Sequence, residues 1–213
     1  MIHKYNTEQE NFWAGEFGDI YINRNKSSEL MASNIHFWGE IISNTHSLNT
    51  ILELGANVGM NIKAINHLLP NAKLSAVEIN ENAYNELMTI PGVEGYHQSI
   101  FDFSTSKQYD MTFVKGVLIH LNPDLLNDAY DKLYAASRKY VCIAEYYNPS
   151  PVALPYRGHE QKLFKRDFAG EFMQRHLNTR LVKYGFSYHK DPVFPQDDIT
   201  WFLIEKLENS THQ

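Results

Sequence analysis

Short runs of apolar residues alternate along the chain with segments whose apolar positions recur every three or four residues. Apolar runs bounded by turn residues predict buried strands, and the longer spacing predicts amphipathic helices. Seven strands are predicted, at Ile51–Leu54, Leu74–Ile79, Val93–Ser99, Tyr109–Gly116, Tyr140–Glu145, Leu181–Tyr188 and Thr200–Leu207. Helices are predicted at 27–46, 58–69 and 80–87, after an Asn122 cap followed by Pro123, and after an Asp167 cap.

The order of these elements predicts an α/β fold. Strand and helix alternate through the first five strands, which requires a mostly parallel sheet with helices on both faces. The linker between the last two strands, Lys190–Asp198, is short and rich in turn residues, so this pair is predicted to be antiparallel at a sheet edge. In such folds, ligands bind outside the carboxyl ends of the strands.

Two segments do not fit the alternation. Glu8–Asn25 mixes aromatic, glycine and acidic residues in a pattern that fits neither a helix nor a strand, and it is interpreted as a folded-back arm. This arm either packs on the domain through its aromatic residues or caps a pocket with Tyr21 and Arg24. Tyr146–His159 contains three prolines and is too long for a simple connection, so it is interpreted as a functional loop.

The length and amino-acid composition are typical of one ordinary globular domain. The chain has 213 residues, of which 43% are hydrophobic and 21% charged. We expect an arm and helix at 1–48, a core domain at 49–207 with a substrate-side loop and helix at 149–176, and a tail at 208–213. The sequence gives no indication of the oligomeric state.

Charge and hydrophobicity limit the partners. A formal net charge of −6 disfavours nucleic acid, and no apolar run approaches the roughly 20 residues that cross a bilayer. We therefore expect a cytoplasmic protein without a membrane or nucleic-acid partner. Cys142 lies in an apolar strand and is expected to be a packing residue, and no Cys/His spacing indicates a metal site.

The strongest chemical signal is the segment Glu53-Leu54-Gly55-Ala56-Asn57-Val58-Gly59. Its glycines allow a tight turn from strand to helix and a close approach of the main chain to a ligand. Glu78, 19 residues after Gly59, ends the next strand, where its carboxylate can accept hydrogen bonds from a ribose diol. A nucleoside-containing cofactor is predicted. The glycine spacing departs from G-x-G-x-x-G, which disfavours a nicotinamide-dependent enzyme.

These residues resemble motifs of the class I S-adenosylmethionine-dependent methyltransferases. Glu53 to Gly59 is similar to the first motif, E/D-x-G-x-G-x-G, with Asn57 at the middle glycine. Because Asn tolerates left-handed backbone better than most residues, we expect a glycine-like conformation there. Ala76-Val77-Glu78-Ile79 is similar to the second motif, and Phe113 to Leu121 to the fourth.

The resemblance covers about Asn49 to Lys206 and implies S-adenosylmethionine as the cofactor. It also implies a Rossmann-like seven-stranded sheet of order 3-2-1-4-5-7-6. Ser99 and Ile100 would flank the adenine, with Asp102 as a substitute contact because the family often has Asp at the Ser99 position. The cofactor-binding residues expected from residues and resemblance together are Tyr21, Gly55, Ala56, Asn57, Gly59, Glu78, Ile79, Ser99, Ile100, Lys115 and Gly116.

A narrower resemblance links the arm, Phe12 to Asn25, and the glycine segment to the methylases associated with pseudaminic acid biosynthesis. It implies an acidic nine-carbon sugar, or an activated form or neighbour of it, as methyl acceptor. The residues expected to bind this acceptor are Arg24, Tyr146, Tyr147, Arg157 and His159.

His120 is the candidate general base, since the ordinary pKa of histidine lies near neutral pH. Its alternative is a structural hydrogen-bonding role beside a helix start. Because no acid/base pair is obvious, a non-catalytic cofactor-binding module in a glycan-synthesis complex is the alternative function.

Overall fold

The fold is a seven-stranded sheet flanked by helices, with a separate hairpin. The computed structural model describes residues 5–22, 28–156 and 158–207. The sheet strands are β1 (Thr50–Leu54), β2 (Lys73–Glu78), β3 (Glu94–His97), β4 (Tyr109–Lys115), β5 (Ser137–Glu145), β8 (Thr179–Phe186) and β9 (Thr200–Lys206), and the hairpin strands are β6 (Val152–Tyr156) and β7 (His159–Lys165).

The sheet order is β3-β2-β1-β4-β5-β9-β8. The first five strands are parallel, and β9 runs antiparallel to both β5 and β8. Without the hairpin, this is the predicted order 3-2-1-4-5-7-6 with an antiparallel pair at the edge. The predicted fold class is therefore confirmed.

Two large buried clusters form most of the core, one on each face of the sheet, and a small third cluster joins Ile22, Val58 and Ala83. The helices that cover these faces are α3 (Ser28–Ile42), α4 (Met60–Leu68), α5 (Glu81–Leu87), α6 (Leu126–Ala136) and α7 (Phe168–Arg175). Strands β1 and β4 are buried along nearly their whole length, as expected for central parallel strands. Cys142 is fully buried in β5, so its expected packing role is confirmed.

The N-terminal arm is helical, which corrects the expectation that it would be neither helix nor strand. It forms α1 (Glu8–Ala14) and α2 (Glu16–Ile22). Thr7 and Glu10 form a capping box at the start of α1, in which each side chain bonds to the backbone of the other residue. Helices this short are marginal alone and depend on tertiary packing. Arg24 and Asn25 lie outside the described residues.

The long loop after β5 is also partly regular. Val152–Tyr156 pairs with His159–Lys165 as an antiparallel hairpin, with a register irregularity next to Pro155. Proline lacks a backbone N–H donor and is confined to sheet edges, so a segment with Pro155 does not have the sequence pattern of a strand. For this reason β6 was not predicted. Lys162 of this hairpin contacts the turn that contains His120, which follows the carboxyl end of β4.

Candidate functional site

A cavity of about 540 Å³ opens at the carboxyl ends of the central strands. Its floor is the glycine loop after β1 together with the ends of β2 and β4. Helix α1 and the linker between β8 and β9 supply its walls through Glu10, Trp13, Gln196 and Asp197. The predicted position at the carboxyl ends of the strands is thus where the structure has its cavity.

The glycine loop has the backbone expected of it. Gly55 and Asn57 have positive φ angles of 82° and 49°, so Asn57 occupies left-handed backbone as predicted. The Asn57 side chain accepts a hydrogen bond from the Val58 N–H at 2.7 Å, which supports this conformation. Gly55, Ala56 and Asn57 all line the cavity, and a Cβ atom on Gly55 would lie 2.7 Å from Val117.

Gly59 serves another purpose than the predicted ligand contact. It has a φ angle of 77° at the start of α4 and is absent from the cavity lining. A Cβ atom here would lie 2.5 Å from Ile90 and 2.6 Å from Leu87. Gly59 is therefore required for backbone conformation and helix packing.

Glu78 lies at the end of β2, is 7% exposed and lines the cavity. Its two carboxylate oxygens accept the backbone N–H groups of Asn57 and Asn80, each at 2.7 Å. Burial raises the pKa of Glu78, and backbone hydrogen bonds from Asn80, Asn57 and Ile79 oppose that effect. A carboxylate has about four acceptor positions, so Glu78 keeps capacity for a further donor such as a ribose hydroxyl.

Ile79, Ser99 and Ile100 also line the cavity, at the end nearest β3. Ser99 donates a hydrogen bond of 2.5 Å to Glu10, which comes from the arm. Asp102, the expected substitute contact, is exposed and does not line the cavity. The acidic group at this end is therefore supplied by Glu10, which pattern analysis missed.

Lys115, the last residue of β4, and Gly116, which follows it, line the opposite end of the cavity. The Lys115 ammonium donates to Asn34 at 2.8 Å, to Gln196 at 2.9 Å and to Asn61 at 3.4 Å. Asn61 in turn donates to Glu53 at 2.7 Å. Burial lowers the pKa of Lys115 to about 8 and raises that of Glu53 to about 8.

His120 lies in a short 3₁₀ turn, Leu118–His120, and is 7% exposed. Its Nδ1 lies 2.7 Å from the carbonyl oxygen of Lys162, which can only accept, so Nδ1 holds the proton and Nε2 is the basic nitrogen. Burial lowers the pKa of His120 to about 4, so the ring is neutral near pH 7. Trp13 and Tyr156 pack against it at centroid distances of 4.6 and 4.8 Å.

Glu145 holds this turn in place. Its carboxylate, at the end of β5, accepts the backbone N–H groups of Val117 and Leu118 at 2.9 Å and of Ile119 at 3.4 Å. The side chain is 2% exposed, and burial raises the pKa of Glu145 to about 7. The His120 ring is thus positioned by two elements, β5 beneath the turn and β7 beside it.

The residues expected to bind the acceptor are not all brought together. Tyr146 is half-buried and absent from the cavity lining, and Tyr147 is 43% exposed beside Arg166. Tyr21, which was expected to bind the cofactor, does line the cavity, from α2. His159 is also exposed, and its ring centroid lies 5.0 Å from that of Phe12 in the arm. Arg24 and Arg157 lie outside the described residues.

Within the ranges that the structure describes, no group of three or more His, Cys, Asp or Glu side chains is placed to hold a metal ion. In those same ranges, no helix combines the length and apolar character needed to cross a membrane.

No protein-family model matches the sequence, and the search of curated proteins gives no significant match. Solved structures do match. The 1,6-didemethyltoxoflavin-N1-methyltransferase of Burkholderia thailandensis, with bound S-adenosylhomocysteine, superposes with a TM-score of 0.69 and 10% identity over 93% of this chain and 87% of that one.

Two further structures agree with this match. The magnesium protoporphyrin IX methyltransferase of Synechocystis PCC 6803, with bound SAM, gives a TM-score of 0.66 at 10% identity over 95% and 99% of the chains. The plantazolicin methyltransferase BpumL, in complex with SAH, gives 0.65 at 13% identity over 94% of each chain. The chain therefore has the fold of the class I S-adenosylmethionine-dependent methyltransferases.

Proposed function

We propose that this protein is an S-adenosylmethionine-dependent methyltransferase acting on a small-molecule acceptor. The observation that carries the proposal is that the glycine loop, at Gly55–Asn57, and the buried carboxylate of Glu78 line the same cavity. A cavity of about 540 Å³ is within the usual range for small-molecule and cofactor sites.

The residues present fit this cofactor. Glu78 would hold the ribose diol, and the apolar side chains of Ile79 and Ile100 would lie against the base. The main chain at Gly55 and Ala56, with Lys115 and Gly116, would hold the methionine end. When bound, the cofactor supplies an electrophilic methyl group.

The chain's own residues then position the acceptor and manage its proton. Trp13 and His120 line the cavity and exclude water from one side of it. Nε2 of His120 would accept a hydrogen bond from the acceptor's O–H or N–H group and take its proton as the methyl group is transferred. Since burial lowers the pKa of His120 to about 4, orientation of the acceptor is the larger part of this role.

We propose more specifically that the acceptor is a nonulosonic acid sugar or its precursor. This proposal is supported by the resemblance to the methylases associated with pseudaminic acid biosynthesis alone. An acidic acceptor needs a positively charged partner. Among the described residues of the lining, Lys115 is the one lysine or arginine, and Glu10, Glu78 and Asp197 lie around the same cavity. Arg24 and Arg157 are the remaining candidates for contact with a carboxylate.

Calorimetric titration with S-adenosylhomocysteine tests the cofactor site. We expect the unaltered protein to bind, and Glu78→Ala to bind at least roughly tenfold more weakly, because a hydrogen bond to a charged group is lost. Glu81→Ala is the matched control, since Glu81 is exposed at the start of α5. Unchanged affinity in Glu78→Ala would refute the ribose assignment.

Transfer itself is tested with labelled S-adenosylmethionine and a metabolite extract that contains nonulosonic acids, followed by mass spectrometry. A methylated small molecule is the expected result. A protein that binds S-adenosylhomocysteine but methylates no fraction would instead be the non-catalytic module.

A further inference from the structure

Glu10 is a buried carboxylate that the arm places in the cavity wall. It lies in α1, is 6% exposed and lines the cavity beside Ser99, 89 residues further along the chain. Burial of a carboxylate is costly unless hydrogen bonds compensate. The position of Glu10 therefore needs an explanation beyond surface solubility.

Part of the explanation is structural. Oε2 of Glu10 accepts the Thr7 N–H at 3.0 Å and the Thr7 hydroxyl at 2.8 Å, which closes the capping box of α1. Oε1 faces Ser99, whose hydroxyl donates to it at 2.5 Å. A carboxylate offers about four acceptor positions. Among the described residues, these bonds use three of the four positions, and Oε1 keeps capacity for one more donor.

The sheet order indicates which part of a nucleoside would reach Oε1 of Glu10. Strand β3 lies next to β2, and His97 of β3 is the register partner of Glu78. Ser99 follows two residues later, so Glu10 lies one strand further out than the proposed ribose contact. Ile79, Ile100 and Glu10 all line the cavity, so a base that extends from a ribose at Glu78 towards β3 would lie against the two apolar side chains with its edge directed at Glu10.

We propose that Glu10 accepts a hydrogen bond from the 6-amino group of the cofactor's adenine and selects it over a 6-oxo purine. This inference rests on the proposed function and adds a specificity residue to it. An amino group donates to a carboxylate, whereas the oxygen of a 6-oxo purine would face it with lone pairs on both sides. The arm is thereby part of the cofactor site.

Glu10→Gln separates this role from helix capping. Glutamine is accepted at the third position of a capping box, so α1 keeps its cap while the charge and one acceptor oxygen are lost. Glu8→Gln is the matched control on the same helix: Glu8 is 80% exposed, pairs with Lys162 at 2.5 Å and does not line the cavity. The thermal midpoints of both variants check that they fold.

The experiment titrates S-adenosylhomocysteine and S-inosylhomocysteine into the unaltered protein and both variants by calorimetry. We expect the unaltered protein and Glu8→Gln to prefer the adenosyl ligand by roughly tenfold or more. Glu10→Gln should lose most of this preference, because its amide can donate to the 6-oxo group.

The outcomes are distinct. Full preference retained in a folded Glu10→Gln protein would overturn the inference and leave the proposed function standing. An unaltered protein that binds neither ligand would remove the proposed function and the inference with it. Equal loss of preference in Glu8→Gln would show that docking of α1, and not the Glu10 carboxylate, is responsible, and would also overturn the inference.

Discussion

Asn57 shows how one residue can replace a glycine. Its φ angle of 49° lies in the left-handed region, where a residue with a Cβ atom is strained. Asparagine lowers this strain by bonding locally, here to the Val58 N–H. Its own N–H is bonded to Glu78, so the strained residue connects the loop to the carboxylate proposed to hold the ribose.

We expect Asn57→Ala to reduce the free energy of unfolding by about 1–2 kcal/mol, because alanine keeps the Cβ strain and loses the local hydrogen bond. Asn57→Gly should stay within about 1 kcal/mol of the unaltered protein, since glycine removes the strain. Urea denaturation measures both, with Asn66→Ala at an exposed position of α4 as the control. Equal stability of the alanine and glycine variants would contradict this account.

At the scale of elements, the turn between β4 and α6 depends on its neighbours. Residues Val117–Ile119 direct their N–H groups at Glu145, and His120 is fixed by the carbonyl oxygen of Lys162 in β7. Since these hydrogen bonds come from other elements, we expect the turn to lose this conformation when they are removed.

We expect Glu145→Gln to reduce the free energy of unfolding by about 1–3 kcal/mol, because an amide group would face buried backbone donors that the carboxylate now accepts. Hydrogen–deuterium exchange at the amides of Val117 and Leu118 should accelerate in the same variant. Glu94→Gln, which alters an exposed ion pair with Lys107, is the control and should change neither quantity measurably. Unchanged exchange at these amides would show that the turn is held by other contacts.

Sequence patterns predicted the elements with strong periodicity and missed those built on local polar chemistry. The seven sheet strands and the caps at Asn122 and Asp167 follow from patterns within each segment, and the strand order was implied by the family resemblance. Helix α1 was missed although Thr7 and Glu10 have the spacing of a capping box, because its aromatic residues obscured the helical period.

The site was predictable only where the residues follow strands directly. The glycine loop, Glu78 and Lys115 end neighbouring strands, so sheet order alone brings them together. Glu10, Asn34 and Gln196 reach the cavity from the arm, a helix and a linker, and their positions depend on packing between segments far apart in the chain. A single sequence contains no direct signal for such contacts.

At the scale of the whole molecule, buried ionisable groups make stability depend on pH in both directions. The His120 pKa of about 4 lies below its ordinary value of 6.5, so the folded state favours the neutral ring. This contribution is fully present above pH 6.5 and is lost as pH falls towards 4. The raised pKa values of Glu53, about 8, and Glu145, about 7, act oppositely, and their contributions are lost as pH rises through those values.

We expect His120→Gln to remove an acid-sensitive contribution on the order of 3 kcal/mol, the amount that corresponds to the lowered pKa. The difference in unfolding free energy between the unaltered protein and this variant should therefore fall between pH 6.5 and 4. Denaturation at several pH values measures it, with His46→Gln at an exposed histidine as the control. A difference that stays constant over this range would contradict the buried, neutral ring.

The hydrogen bonds of Lys115 determine when the cavity is complete during biosynthesis. Its three amide partners come from α3, from α4 and from the linker that precedes β9, and β9 itself is inserted between β5 and β8. During translation, the cavity wall therefore stays incomplete until β9 has left the ribosome and entered the sheet. A nascent chain with the glycine loop and Glu78 already folded still lacks Gln196 in the cavity wall, so we expect it to acquire ligand affinity abruptly, once β9 has joined the sheet.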